Sequence, residues 1–106
     1  MNTDAEFLAI QEDIEYRFQP ANPIAKAVSE KLCLNLYKQR HCEHWIDRAQ
    51  SIPPQTINTL SAEDRVAFTT RLSKKRDQLR NLRRSAHSYC IALSASEPAE
   101  SADHID

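Results

Sequence analysis

The sequence predicts an all-α fold, a small three-helix arrangement in which a short first helix packs on a hairpin of two long helices. Three observations predict it. The 106 residues include no glycine, which the tight turns of β-hairpins favour. Apolar residues recur at steps of three and four along three stretches, and cap residues or prolines bound these stretches. A chain of this length fits a single domain.

Helix one is predicted over about residues 4–19. Thr3 and Glu6 match the capping box, in which a hydroxyl and a carboxylate three residues later satisfy free N–H groups at a helix start. The apolar residues that follow share one face, namely Phe7, Ile10, Ile14 and Phe18. Pro20 then ends the helix, since proline cannot continue the hydrogen-bond ladder.

Helix two is predicted to begin after Asn22, a cap residue followed by a proline at the first helical position. It extends as far as the Pro53-Pro54 break. One side of the helix is apolar and carries Ile24, Val28, Leu32, Cys42, Trp45, Ile46 and Ala49, interrupted by Asn35 and Gln39. The middle, residues 32–37, is apolar nearly all round, which predicts that most of it is buried between neighbours.

Helix three is predicted to begin after Ser61, a second cap residue with acids in the following turn. It carries a coiled-coil-like heptad seam consisting of Phe68, Leu72, Lys75, Leu79, Leu82, Ala86, Tyr89 and Leu93. Residues 94–106 are polar and acidic, which predicts a disordered tail. The helical domain is therefore expected to span residues 1–93.

Charge is segregated along the chain. Residues 1–20 carry five acids and one base, whereas residues 61–93 carry eight bases and three acids. Helix three has a basic ridge, which we define as Arg76, Arg80, Arg83 and His87, with Lys74, Lys75 and Arg84 beside it. The ridge is interpreted either as an anion-binding face or as a solvated face neutralised by the tail or by the acids of helix one, Glu12, Asp13 and Glu15.

The sequence gives little support to catalysis or to a cofactor. Phosphate-cradling loops and nucleophile elbows depend on glycine. Cys42 lies between His41 and Glu43, but consecutive helix residues diverge and cannot share a proton. The pairs His41–His44 and His87–Cys90 suit zinc, yet a hairpin would separate them by roughly 35 to 40 Å. No catalytic residue, metal or other cofactor is therefore expected.

The composition favours a cytoplasmic protein. The three cysteines form no CxxC pair, so reduced thiols are expected. No apolar run approaches the ~18 residues that cross a membrane. The chain opens with Met1-Asn2-Thr3-Asp4, unlike the basic and then apolar start of a secretory signal.

These patterns predict a small non-enzymatic adaptor, regulator or inhibitor that docks on an acidic protein surface through helix three. The expected partner-binding residues are Lys75, Arg76, Leu79, Arg80, Leu82, Arg83, Arg84 and Tyr89. The heptad seam also predicts a homodimer through helix three. The alternative is a nonspecific nucleic-acid-binding accessory protein that uses the same ridge. It is the weaker interpretation, because the net charge is −1 and no aromatic residues are interleaved with the ridge to stack on bases.

Overall fold

The fold is a long helical hairpin with a shorter helix along one end. The computed structural model describes residues 2–95, with side chains from Ala5 onward. This range contains four helices, α1 (Asn2–Phe18), α2 (Pro23–Gln50), α3 (Pro54–Asn58) and α4 (Ala62–Ala95). The described residues contain no strand, so the all-α prediction is confirmed. The predicted tail lies outside the described residues from residue 96 onward, and Ser94 and Ala95 still belong to α4.

The first helix starts earlier than the capping box predicted. It begins at Asn2, which places Thr3 inside the first turn, so the predicted cap position is wrong. It ends at Phe18, where Gln19 takes a left-handed conformation with φ 45° and donates its N–H to the carbonyl of Glu15 at 2.9 Å. Glycine usually fills this position, and a chain without glycine uses glutamine instead.

The caps predicted for the two long helices are confirmed. The Asn22 side-chain oxygen accepts a hydrogen bond from the Ala25 N–H at 2.7 Å, immediately before α2. The Ser61 hydroxyl oxygen likewise accepts one from the Asp64 N–H at 3.1 Å, at the start of α4. The Pro53-Pro54 break ends the hairpin's first arm as expected, but Pro54 also opens the additional five-residue helix α3. Proline has the φ angle that a first helical turn requires.

Two buried clusters hold the helices together. The larger cluster joins α1, α2 and α4 at the end of the hairpin that α1 covers. Its buried members are Ile10, Ile14, Ala25, Leu32, Cys33, Ala86 and Leu93. The smaller joins α2 and α4 nearer the connector, through Cys42, Ile46 and Leu79, with Trp45 and Leu72 packed against them. Among the described side chains, the smaller cluster draws its members from α2 and α4 alone.

Two large apolar residues of α2 are exposed. Ile24 lies on the predicted apolar side of the helix, yet it is 79% exposed. It follows Pro23 in the first turn of α2, at the end of the molecule. The segment 32–37 is mostly buried, as predicted, but Leu34 within it is 46% exposed. The reason is that α1 and α4 contact α2 on two sides and leave the third side open.

Polar contacts fix the register between α2 and α4. The buried Asn35 side chain donates a hydrogen bond to the carbonyl of Leu82 at 2.9 Å and accepts one from the Gln39 amide at 2.8 Å. Further along, the Cys42 thiol donates to the carbonyl of Lys75 at 3.2 Å. A shift of α4 along α2 would break both cross-helix bonds and leave buried polar groups unsatisfied. Asn35, to which Gln39 is bonded, and Cys42 therefore specify the register of the hairpin.

The three cysteines should differ in reactivity. Cys33 and Cys42 are buried and Cys90 is half-buried, and burial raises the pKa of the Cys33 thiol. Since the thiolate is the reactive form, we expect a thiol reagent to modify Cys90 at least about tenfold faster than the other two. Peptide mapping after timed labelling measures this, with the denatured chain as the control. Equal labelling of the three thiols in native buffer would contradict the assigned core.

Candidate functional site

The basic ridge lies on the outside of α4. Arg76, Arg80, Arg83 and His87 are all exposed, as is the neighbouring Arg84. The fold keeps them there because the buried side of α4 is the heptad seam, and the ridge follows one flank of that seam. The ridge is therefore accessible to a partner along more than two helical turns.

Two ridge arginines have carboxylates within reach. Arg83 forms an ion pair of 3.1 Å with Glu43 of α2, and Arg80 forms one of 3.3 Å with Asp77 of its own helix. All four side chains are 46% to 67% exposed, so solvent screens both pairs and each contributes only about 0–1 kcal/mol. A partner's carboxylate could compete for either arginine at little loss of stability.

The acids of helix one do not neutralise the ridge. Asp13 pairs with Arg17 of the same helix at 3.3 Å, and Glu6 contacts Arg40 of α2 at 3.8 Å. None of the four ion pairs found among residues with described side chains joins α1 to α4. No described ion pair therefore supports the interpretation that the acids of helix one neutralise the ridge.

The heptad seam packs within the chain. Leu79 is 9% exposed and belongs to the smaller cluster, and Tyr89 packs against the larger one. Leu82 is half-buried, and its carbonyl accepts the hydrogen bond from Asn35. The sequence predicts these three residues as partner-binding positions. In the structure α2 already covers Leu79, so a second copy could reach the seam only by displacing α2.

Lys75 belongs to the opposite flank from the ridge. Its Nζ lies 6.0 Å from the centre of the Trp45 ring, and the guanidinium carbon of Arg71 lies 5.3 Å from the same ring. Both are cation–π distances, which attract a positive charge to an aromatic face. The structure thus separates Lys75 from the arginines with which the sequence grouped it.

This second flank carries a groove that the sequence interpretation missed. The groove has a volume of about 400 Å³, and we call it the aromatic groove. Its floor and walls are Tyr37, Lys38, His41, Cys42, Trp45 and Arg48 of α2 together with Lys75 and Gln78 of α4. No carboxylate is among them. A signal is present in the sequence, because three rings follow one another at four-residue spacing on α2, whereas the charge pattern that defines the ridge lies on α4.

The rings of the aromatic groove form a short ladder. The Tyr37 and His41 rings lie 4.5 Å apart, centre to centre, in an edge-on arrangement. Phe7 of α1 packs against Tyr37 on the side of the core, with ring centres 5.7 Å apart. His41 is exposed and Trp45 is half-buried. Tyr37, at one end of this row of rings, is therefore anchored against the core, and His41 is exposed to solvent.

The ridge and the aromatic groove face different directions. Counted at about 100° per residue from the buried Leu79, the ridge arginines lie on one side of the seam. Lys75 and Gln78 lie on the other side. One flank therefore mixes bases with acids, and the other combines bases with rings.

The residues considered for catalysis and metal binding are not assembled into a site. The Cys42 thiol is buried and engaged with the carbonyl of Lys75 at 3.2 Å, while the neighbouring His41 is exposed. Within the part of the chain that the structure describes, no group of three or more His, Cys, Asp or Glu side chains could hold a metal ion.

Two further findings bear on the site. Between residues 2 and 95, no helix combines the length and the apolar character needed to cross a membrane. Comparisons with protein-family models, with curated proteins and with solved structures gave no significant match.

Proposed function

We propose that this protein is a small non-enzymatic adaptor, regulator or inhibitor of the cytoplasm that docks on an acidic surface of a larger protein through the basic ridge. The observation that carries the proposal is the position of the ridge. Its arginines are exposed on α4 and no acid of α1 pairs with them among the described residues. Arg84 extends the same surface.

The mixed charge of the ridge favours a protein partner. Glu43 and Asp77 lie among the arginines at 3.1 and 3.3 Å. A protein surface can match such a pattern with bases opposite the acids and acids opposite the bases. A nucleic-acid backbone presents only negative charge, which the two carboxylates would repel. Nonspecific nucleic-acid binding through the ridge is therefore the weaker proposal.

The buried seam changes how the docking would work. Leu79 and Ala86 are already buried within the chain, so docking relies on the charged side chains of the ridge. For the same reason, a homodimer through the seam is not proposed. Electrostatic docking of this kind is fast and salt-sensitive.

The proposal can be tested by capture from a soluble extract of the native host. The immobilised chain should retain a defined partner near about 0.1 M salt and release it by about 0.5 M, because screening weakens exposed charge pairs. Free polyglutamate should compete by binding the ridge, and free polylysine should compete by binding the acidic surface of the partner. Retention of the partner at high salt, or indifference to polyglutamate, would contradict docking through the ridge.

A further inference from the structure

We propose that the aromatic groove is a binding site for single-stranded nucleic acid, separate from the protein-docking ridge. Proteins that hold single strands without sequence preference combine aromatic platforms, on which bases stack, with a positive groove that follows the backbone. The aromatic groove has both components. None of the described side chains that line it is acidic, which distinguishes it from the ridge.

The platforms come from α2. Tyr37, His41 and Trp45 follow one another at four-residue steps, so their backbone positions lie about 6 Å apart along the helix axis, and the Tyr37 and His41 ring centres are 4.5 Å apart. His41 is exposed, and Trp45 is accessible in part. The Phe7 ring supports Tyr37 from the core side at 5.7 Å between ring centres. Rings that are anchored in this way lose little side-chain entropy when a base stacks on them.

The positive charge comes from both helices. Lys38 and Arg48 of α2 and Lys75 of α4 line the groove, and Arg71 lies over the Trp45 ring at 5.3 Å. Among the described residues, none of these four side chains is in an ion pair. They are therefore available to phosphates without first releasing a carboxylate.

An acidic peptide is the alternative ligand. The aromatic rings favour nucleic acid over it. Carboxylates would satisfy the four cations equally well, but they would leave the exposed face of His41 without a stacking partner. Nucleobases have a π-face for every ring. The groove is short, so it accommodates a few nucleotides and binds them without reading their sequence.

Trp45 is the sole tryptophan of the chain, so its fluorescence reports on the groove directly. Titration of the whole chain with an oligothymidylate of about eight nucleotides, at low salt, should quench this fluorescence as a base stacks on the ring. The logarithm of the binding constant should fall linearly with the logarithm of salt, with a slope of about −2 to −3, since about four phosphates are neutralised on a single strand.

Three changes separate stacking from charge. An abasic strand of equal length should bind at least about tenfold more weakly and should quench little, because it keeps the phosphates and lacks the bases. His41→Ala should weaken binding of the oligothymidylate by about tenfold. Arg48→Glu/Arg71→Glu should weaken it at least about 100-fold, whereas the matched control Arg17→Glu/Lys26→Glu, at the far end of α1 and α2, should stay within about twofold.

Several outcomes would overturn the proposal. The groove would be a simple charged patch if the abasic strand bound as tightly as the oligothymidylate. It would be a peptide site if polyglutamate, which is also expected to bind the ridge, quenched the Trp45 fluorescence as strongly as the oligothymidylate does. Absence of quenching, or equal loss in the control variant, would place any binding elsewhere. Circular dichroism of each variant shows whether the helices are retained. Failure of this proposal would leave the ridge unaffected, since the two surfaces share no residue.

Discussion

Leu32→Ala is expected to lower the free energy of unfolding by about 2–5 kcal/mol. Leu32 has no exposed surface and lies in the cluster that joins α1, α2 and α4. Its truncation leaves a cavity at the one place where three helices meet, and the surrounding side chains can relax only in part. Native domains have a total stability of about 5–15 kcal/mol, and a small domain lies toward the lower end. The variant should therefore be partly unfolded near physiological temperature.

Urea denaturation followed by far-UV circular dichroism measures this loss. Ile24→Ala is the matched control, because it removes a similar side chain from the same helix at a position that is 79% exposed. The control should change the unfolding free energy by no more than about 0.5 kcal/mol. Equal losses in the two variants would contradict the assignment of Leu32 to the shared core.

The second large effect is expected on docking. Arg76→Glu/Arg80→Glu/Arg83→Glu should weaken binding of the captured partner at least about 100-fold, because three attractions become repulsions and close like charges across an interface cost several kcal/mol. The fold should survive. The two ion pairs lost, Arg80–Asp77 and Arg83–Glu43, are exposed and contribute about 0–1 kcal/mol each. The triple variant should therefore lose affinity for the partner while its free energy of unfolding changes little.

A control variant with the same change in net charge shows whether the loss of binding depends on the position of the ridge or on net charge alone. Arg17→Glu/Lys26→Glu/Lys31→Glu makes the same change in charge on exposed positions of α1 and α2, and it should keep the affinity within about threefold. If the ridge variant unfolds, the ridge is structural. If it folds and binds normally, the functional surface lies elsewhere.

The local features of the fold could be predicted from the sequence. Asn22 and Ser61 cap helices because side-chain oxygens satisfy free N–H groups wherever a helix starts, and this signal spans only a few residues. The same is true of the break at Pro53-Pro54. The local signal at the start of α1 is misleading: Thr3 matches a capping box, yet α1 extends past it to Asn2.

Features that depend on register could not be predicted in the same way. Whether Leu34 is exposed depends on how far α1 and α4 extend around α2, which no local pattern records. The aromatic groove needs Trp45 and Lys75 side by side, and that pairing follows from the cross-helix bonds of Asn35 and Cys42. Sequence periodicity identifies a face of one helix but not which residue of a distant helix lies opposite.

The measurement that tests the central claim most directly is a charge exchange across the proposed interface. Once the partner is known, its carboxylates that face the ridge would be replaced by lysine, and this variant would be titrated against the wild-type chain and against Arg76→Glu/Arg80→Glu/Arg83→Glu. Docking through the ridge predicts that the lysine variant binds the wild type at least about 100-fold more weakly and that the paired exchange restores affinity to within about tenfold. Restoration fails if the arginines do not meet those carboxylates, and that result would contradict the proposed function.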